Sequence, residues 1–116
     1  MATVRNFKCH GDCPQWRIVT HSTTTANAVR INHAVGPLGI VQDRGGLNGD
    51  PGGCDVQMDG IGYVELGATL AYGAAIQSHT DNSGRAEANS DINWRIGRLL
   101  RGGVAGDIVP VLIIPH

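Results

Sequence analysis

Glycine is the residue that most limits what this sequence can build. Seventeen glycines stand singly or in pairs between short runs of β-branched and aliphatic residues. A glycine inside a helix costs about 1 kcal/mol relative to alanine. In turns and bulges the same residue supplies backbone conformations that others resist. A chain cut this often has no room for long helices, and no window keeps an i, i+3, i+4, i+7 apolar stripe with caps.

Strands are what the pattern leaves. Residues 17–21, 28–31, 38–41, 54–58, 61–66, 75–79, 94–100 and 108–114 are short, apolar or alternating, and bounded by turn residues. Asp59-Gly60 between two alternating runs predicts a hairpin, with Met58 opposite Ile61 and Val56 opposite Tyr63 on one face. Asp81-Asn-Ser-Gly84 predicts a turn. Pro110 cannot donate to a ladder, which pushes the last strand toward a sheet edge or a bulge. Regularly spaced short strands predict an all-β fold, a small antiparallel barrel or sandwich.

Two stretches nearly repeat. Arg44-Gly-Gly-Leu-Asn-Gly-Asp50 matches Arg101-Gly-Gly-Val-Ala-Gly-Asp107. Upstream, Gly39-Ile-Val-Gln precedes one copy and Gly97-Arg-Leu-Leu the other, and Ile18-Val-Thr-His-Ser22 aligns with Ile76-Gln-Ser-His-Thr80. The repeats run over about 16–58 and 74–115. Neither half alone buries its apolar face, so the expectation is pseudo-duplicated halves closing one barrel about a pseudo-twofold axis. Residues 1–15 fall outside the repeats. They read as an N-terminal arm before a single domain at 16–116, or as one more closing strand.

Composition removes several functions. Charged residues are 16% and net charge is −1, without the basic patch that phosphate binding needs, so no nucleic-acid partner is expected. No apolar run nears the ~18 residues of a membrane-spanning helix, so no membrane partner is expected. Met1-Ala-Thr-Val-Arg shows no apolar stretch of the kind a secretion signal uses. Aromatics are only 4%, a poor supply of platforms for sugars or bases.

Chemistry-bearing groups are scattered. There is no Gly-x-Ser-x-Gly and no Gly-x-x-x-x-Gly-Lys, and an enzyme is not expected. Cys9-His10-Gly11-Asp12-Cys13 suggests a metal knuckle but lacks the second ligand pair zinc favours. Reduced structural thiols at Cys9, Cys13 and Cys54 are the plainer reading. Asp43, Asn48, Asp50 and Asp55 miss the alternate spacing of a calcium loop. No metal or cofactor is therefore expected. The histidines are dispersed, although His21 and His79 fall at matching repeat positions, which suggests a shared structural role. Trp16-Arg17 and Trp94-Arg95 pair the two residue types commonest at interface centres, types that also serve in ordinary cores and rims.

The run Val64-Glu-Leu-Gly-Ala-Thr-Leu-Ala-Tyr-Gly-Ala-Ala-Ile-Gln-Ser78, then Asn82-Ser-Gly-Arg-Ala86, Ile96-Gly-Arg-Leu and Val104-Ala-Gly-Asp-Ile-Val-Pro-Val111, resembles the small head-decoration, or capsid cement, proteins of tailed bacteriophages. The likeness covers roughly residues 16–115; the cysteine-bearing N-terminal stretch departs from it. It implies a compact β fold without cofactor, made in the host cytoplasm and bound to the outer capsid surface of the virion. Its partners would be the major capsid protein and further copies of itself, a homotrimer favoured over a homodimer, bridging neighbouring capsomers. A protein that binds the assembled lattice and not its free subunits stabilises that lattice by mass action, and repeated sites add avidity. Arg5, Phe7, Trp16 and Arg17 are the residues expected at the capsid or subunit interface. The alternatives are another phage structural part, such as a tail or fibre component, or a carbohydrate-binding β module. A small metalloprotein or enzyme using Cys9, His10 and Cys13 stands further off.

Overall fold

The computed structural model describes residues 3–9, 13–22, 27–31, 37–44, 53–79, 81, 83–90 and 95–114. Among them are ten strands and no helix: β1 (Val4–Cys9), β2 (Ile18–His21), β3 (Ala28–Ile31), β4 (Gly39–Arg44), β5 (Cys54–Gln57), β6 (Gly60–Glu65), β7 (Ala75–Ser78), β8 (Ala86–Ala88), β9 (Gly97–Leu99) and β10 (Ile108–Ile113). They form two units. The first is a closed barrel in the order β1-β3-β2-β4-β5, and the second a five-stranded sheet in the order β6-β10-β9-β7-β8. The fold is all-β, as the punctuated apolar runs predict.

The second unit repeats the wiring of the first. Advancing β1, β2 and β3 by 57 positions, β4 by 58 and β5 by 55 carries one set of ladders onto the other. Val4↔Gln57 becomes Ile61↔Leu112, Val19↔Ile31 becomes Ile76↔Ala88, Ile18↔Ile40 becomes Ala75↔Arg98, and Val41↔Val56 becomes Leu99↔Val111. The parallel contact Cys9↔Val29, which closes the barrel, becomes the single parallel bridge Leu66↔Ala86. Glycine repeats with it. A Cβ on Gly39 would strike the carbonyl oxygen of Gln57, and one on its counterpart Gly97 would strike that of Leu112. In both units β4 or β9 approaches its neighbour too closely for any side chain there.

The interior layers correspond in the same way. Phe7, Val19, Val29, Val41, Cys54 and Val56 fill the first core. Their counterparts Val64, Ile76, Ala86, Leu99, Val109 and Val111 fill the second. Each large aliphatic side chain taken fully from water contributes about 1.5–3 kcal/mol, so each unit has its own source of stability. Ile18 and Ile40 break the pattern. They point out of the first barrel and join the second core, welding the units together.

Several sequence expectations change here. The stretch read as an arm contains β1, an integral barrel strand paired with both β3 and β5. Its counterpart is β6, so each repeat begins one strand earlier than the sequence likeness suggests. The halves do not jointly close one barrel about a pseudo-twofold axis. A twofold relation sets equivalent faces against each other, yet the counterparts of Ile18 and Ile40 are Ala75 and Arg98, and Arg98 is exposed. The contact is head-to-tail. The alignment of Ile18 with Ile76 is one residue out of register, since the ladders match Val19 with Ile76. A shift of one residue exchanges the faces of a strand. His21 therefore corresponds to Ser78, and the shared role read for His21 and His79 falls away.

The Asp59-Gly60 hairpin is also corrected. Gly60 has the positive φ of 79° that such a turn demands, but β5 and β6 do not pair. The chain crosses there from one unit to the next. Buried Gln57 holds the crossing by donating from Nε2 to the carbonyls of Asp59 and Ile61, each at 2.8 Å. Alternation shows that two strands exist; it does not show which partners they choose. Pro110, finally, lies in an inner strand, since β10 sits between β6 and β9. Its carbonyl accepts from the Leu100 N–H at 2.9 Å. Its missing N–H faces the same side, toward Leu100 just past the end of β9, so only the last rung of that ladder goes without a donor.

Candidate functional site

The polar groups with the most structural consequence lie along the seam between the units. Residues 15–18 lead into β2 and run beside both. Trp16 N–H donates to the Val41 carbonyl at 2.7 Å, and the Trp16 carbonyl accepts from the Glu65 N–H at 3.0 Å. One residue thus ties β4 to β6. The Gln42 side-chain amide does the same in another way. Its Nε2 donates to the Tyr63 carbonyl and its Oε1 accepts from the Tyr63 N–H, both at 2.9 Å. The amide stands in for a neighbouring strand and satisfies the free edge of β6.

Charge is concentrated at the same seam. Arg17 Nη2 lies 3.5 Å from Glu65 Oε2, and Arg85 Nε lies 2.6 Å from that same oxygen. Arg17 Nη1 also donates to the Ser83 carbonyl at 2.8 Å. Glu65 and Arg17 side chains are each 17% exposed, so their pair is less screened by solvent than an ordinary surface ion pair. Arg17, read from sequence as a contact residue, is thus spent inside the chain.

The other expected contact residues separate. Phe7 is 7% exposed within the first core, edge-on to His21 with ring centroids 6.3 Å apart. It packs as a core residue of the first barrel. Arg5 is exposed and lies over the Phe7 ring at 5.7 Å, covering it from solvent. Trp16 is half-buried and sits edge-on to Tyr63 at 6.0 Å. The four residues therefore do not form one site: Arg5 and Phe7 belong to the first barrel, Trp16 and Arg17 to the seam. Trp94, His10, His33, His116, Asn48 and Asp50 lie outside the described residues, as does most of the first glycine-rich repeat.

Trp16 carries one further feature. Its φ is 70°, in the left-handed region, and its counterpart in the second unit is Gly73, with φ 84°. The same holds for Asn27 at 53° and its counterpart Gly84 at 78°. Both units need a left-handed residue at these two places. The second uses glycine at each. The first uses asparagine, which tolerates the conformation, and tryptophan, which does not. Backbone strain of this kind costs about 1–3 kcal/mol and persists only where surroundings enforce it. At this position it is the Trp16 side chain that distinguishes the first unit from the second. Sequence reasoning missed Tyr63 and Glu65 as members of the seam, because neither stands in a motif and only the crossing of the chain brings them to residues 16 and 17.

The remaining titratable groups build structure. Cys13 and Cys54 are buried in the first unit and form no disulfide with each other, and the Cys13 Sγ contacts the Val29 carbonyl at 3.4 Å. His79 lies between Asp81 at 3.2 Å and Glu87 at 3.8 Å. Hydrogen bonding by Ser83 holds the Asp81 carboxyl below its usual range against the opposing effect of burial, with help from the charges of His79 and Arg85. Among the described residues no three His, Cys, Asp or Glu side chains gather to hold a metal, and no cavity opens among them.

No family model matches this sequence, and no curated protein does. Among solved structures, the chain is similar to the N-terminal base of the head fibre protein gp8.5 of bacteriophage phi29, with a TM-score of 0.66 and 18% identity. The match covers 98% of this chain and 95% of the other. At that identity the likeness is one of fold, and it extends over both units.

Proposed function

We propose that this chain is a structural protein of a phage virion that attaches to the outer surface of the capsid. The observation that carries this reading is the match in fold, over nearly the whole of both chains, to the base of a phage head fibre. It agrees with the sequence resemblance to phage head proteins, reached independently from residues 64–111. The expectation of a protein that holds a surface and catalyses nothing fits a neighbour that is a structural protein.

Within this reading the chain binds the major capsid protein of the mature shell, acts together with further copies of itself, and decorates and stabilises the lattice by bridging capsomers. Preferential binding to the expanded shell supplies the stabilisation, since only the assembled form gains the binding energy. A second reading is favoured by the neighbour itself: the chain is the base on which a fibre is mounted. In that case attachment matters and stabilisation does not.

Mixing the purified chain with expanded shells and with unexpanded procapsids tests both. Binding to expanded shells with a higher temperature of shell disruption is the expected outcome. Saturable binding with no gain in shell stability selects the fibre-base reading. No binding to either particle overturns the proposal.

A further inference from the structure

His79 has two partners that require opposite proton states. Its Nδ1 accepts from the Asp81 backbone N–H at 3.1 Å. The same Nδ1 lies 3.2 Å from Oδ1 of the Asp81 carboxylate. The first contact needs a lone pair on Nδ1, and the second rewards a proton there. With Nδ1 accepting, the neutral ring carries its hydrogen on Nε2, toward Glu87 Oε1 at 3.8 Å, which is beyond hydrogen-bond reach. The ring is 24% exposed, and a Cβ on Gly67 would lie 2.8 Å from its Cδ2. Its own backbone N–H is fixed to the Arg85 carbonyl at 2.7 Å. The first unit has the same backbone bond, from Ser22 to Ala28. A titratable ring therefore stands where the fold itself is content with serine.

The turn that answers to this ring is also the one by which the second unit holds the first. Asp81 Oδ1 accepts from the Ser83 N–H at 2.9 Å, and Ser83 Oγ from the Arg85 N–H at 3.2 Å. The Ser83 carbonyl accepts from Arg17 Nη1, and the Gly84 carbonyl from the Ile18 N–H, each at 2.8 Å. Gly84 is left-handed at φ 78°, and a Cβ there would press on Ile31, Arg17 and the Ile18 carbonyl. Residues 81–85 are thus a clasp closed on residues 17 and 18.

We infer that His79 is a proton-operated switch on this clasp, closed when the ring is neutral and loosened when it is charged. Protonation turns Nδ1 into a donor. The Asp81 N–H then faces a second donor at 3.1 Å and loses its acceptor, while Asp81 Oδ1 gains a charge-assisted partner. Meeting that partner swings the Asp81 N–H away from the ring and draws the carboxylate from the Ser83 N–H. The movement passes along the turn to the two carbonyls that hold Arg17 and Ile18. The surrounding charges favour the exchange. Glu87 on β8 supplies a second negative charge, held in place by Gln77 Nε2 of β7 at 2.8 Å. The nearby cations are Arg85, in the turn, and Arg17, from the first unit, and both already pair with Glu65 at the end of β6. Imidazole is the side chain that ordinarily changes charge between about pH 8 and pH 5, so mild acid is the signal. This switch stands apart from the virion reading and holds whether or not the chain binds shells.

Nuclear magnetic resonance of the full chain from about pH 8 to pH 5 tests it. The amide signals of Ser83, Gly84 and Ile18 are expected to move with the same midpoint as the His79 ring. His79→Asn keeps an acceptor near the place of Nδ1 but does not titrate. At about pH 5.5, exchange of the Ile18 N–H with solvent is expected to be at least about fivefold faster in the wild type than in this variant, and equal in the two at about pH 8. His79→Ser, the residue the first unit carries at the matching place, is expected to behave as His79→Asn does and guards against a fault peculiar to asparagine. Three results overturn the inference: a His79 ring that titrates while the three amides stay still, amides that move equally in the variants, or Ile18 exchange that is the same in wild type and variants at both pH values.

Discussion

At the scale of single residues, the comparison between the two units separates what the fold needs from what it merely tolerates. Position 16 needs a left-handed backbone, and Gly73 shows the unstrained solution. Trp16→Ala keeps the strain and loses the ring. Trp16→Gly loses the ring but relieves the strain. The glycine variant is therefore expected to be about 1 kcal/mol more stable than the alanine variant, as urea unfolding of the two would show. An ordinary helix or loop position gives the opposite order. Asp81 supplies a second prediction. Its folded-state pKa is lowered, so its contribution is present above the unfolded value of about 4 and disappears as pH falls through the folded value. Asp81→Asn should lower the neutral plateau slightly and leave stability at strongly acid pH nearly unchanged, so that the acid limb is flatter, as melts across the acid range would show. With half of the side chain exposed, the effect is small.

At the scale of strands, the close approaches at Gly39 and Gly97 are the sharpest constraints. A methyl at either would press on a backbone carbonyl, which cannot swing aside as a side chain tip can. Gly39→Ala and Gly97→Ala are each expected to cost about 2–4 kcal/mol, in the upper range of overpacking effects, and calorimetric melting would measure it. Most of the strands themselves were legible in the sequence, because period-two alternation and glycine punctuation are local signals. Partner choice was not. Asp59-Gly60 carries a correct local signal for a turn, yet the strands it joins enter different units, because Gln57 and the carbonyls beyond the turn decide the path. Pro110 misled for a similar reason: the cost of a missing donor depends on whether it falls within a ladder or at its last rung, as it does here beside Leu100. The repeat was legible through Gly39 and Gly97, while β1 and β6 escaped it because strands conserve the burial of Phe7 and Val64, not their identity. The seam was the least legible part. Trp16 and Arg17 stood out by residue type, but Tyr63, Glu65 and Gln42 belong to it only through tertiary structure.

At the scale of the whole molecule, Ile18 and Ile40 make two similar units into one cooperative body. Each is fully buried in the core of a unit to which it does not belong by wiring. Ile40→Ala should cost about 2–5 kcal/mol and lower the stability of both units together. Scanning calorimetry would show one shifted transition; two resolved transitions would mean that the units unfold separately. The same two isoleucines have a consequence for synthesis. During synthesis the residues of the first barrel leave the ribosome before those of the second, so β1 can pair with β5 first. Until residues 60–113 emerge, Ile18 and Ile40 face water on a finished surface. Since only a short crossing follows Gln57, the second unit of the same chain meets that surface first. On a crowded polysome, the second unit of a neighbouring chain is a chemically identical competitor for it. The brevity of the crossing therefore sets a race between folding at home and exchange with a neighbour, and it is the tethered unit, at the higher local concentration, that wins.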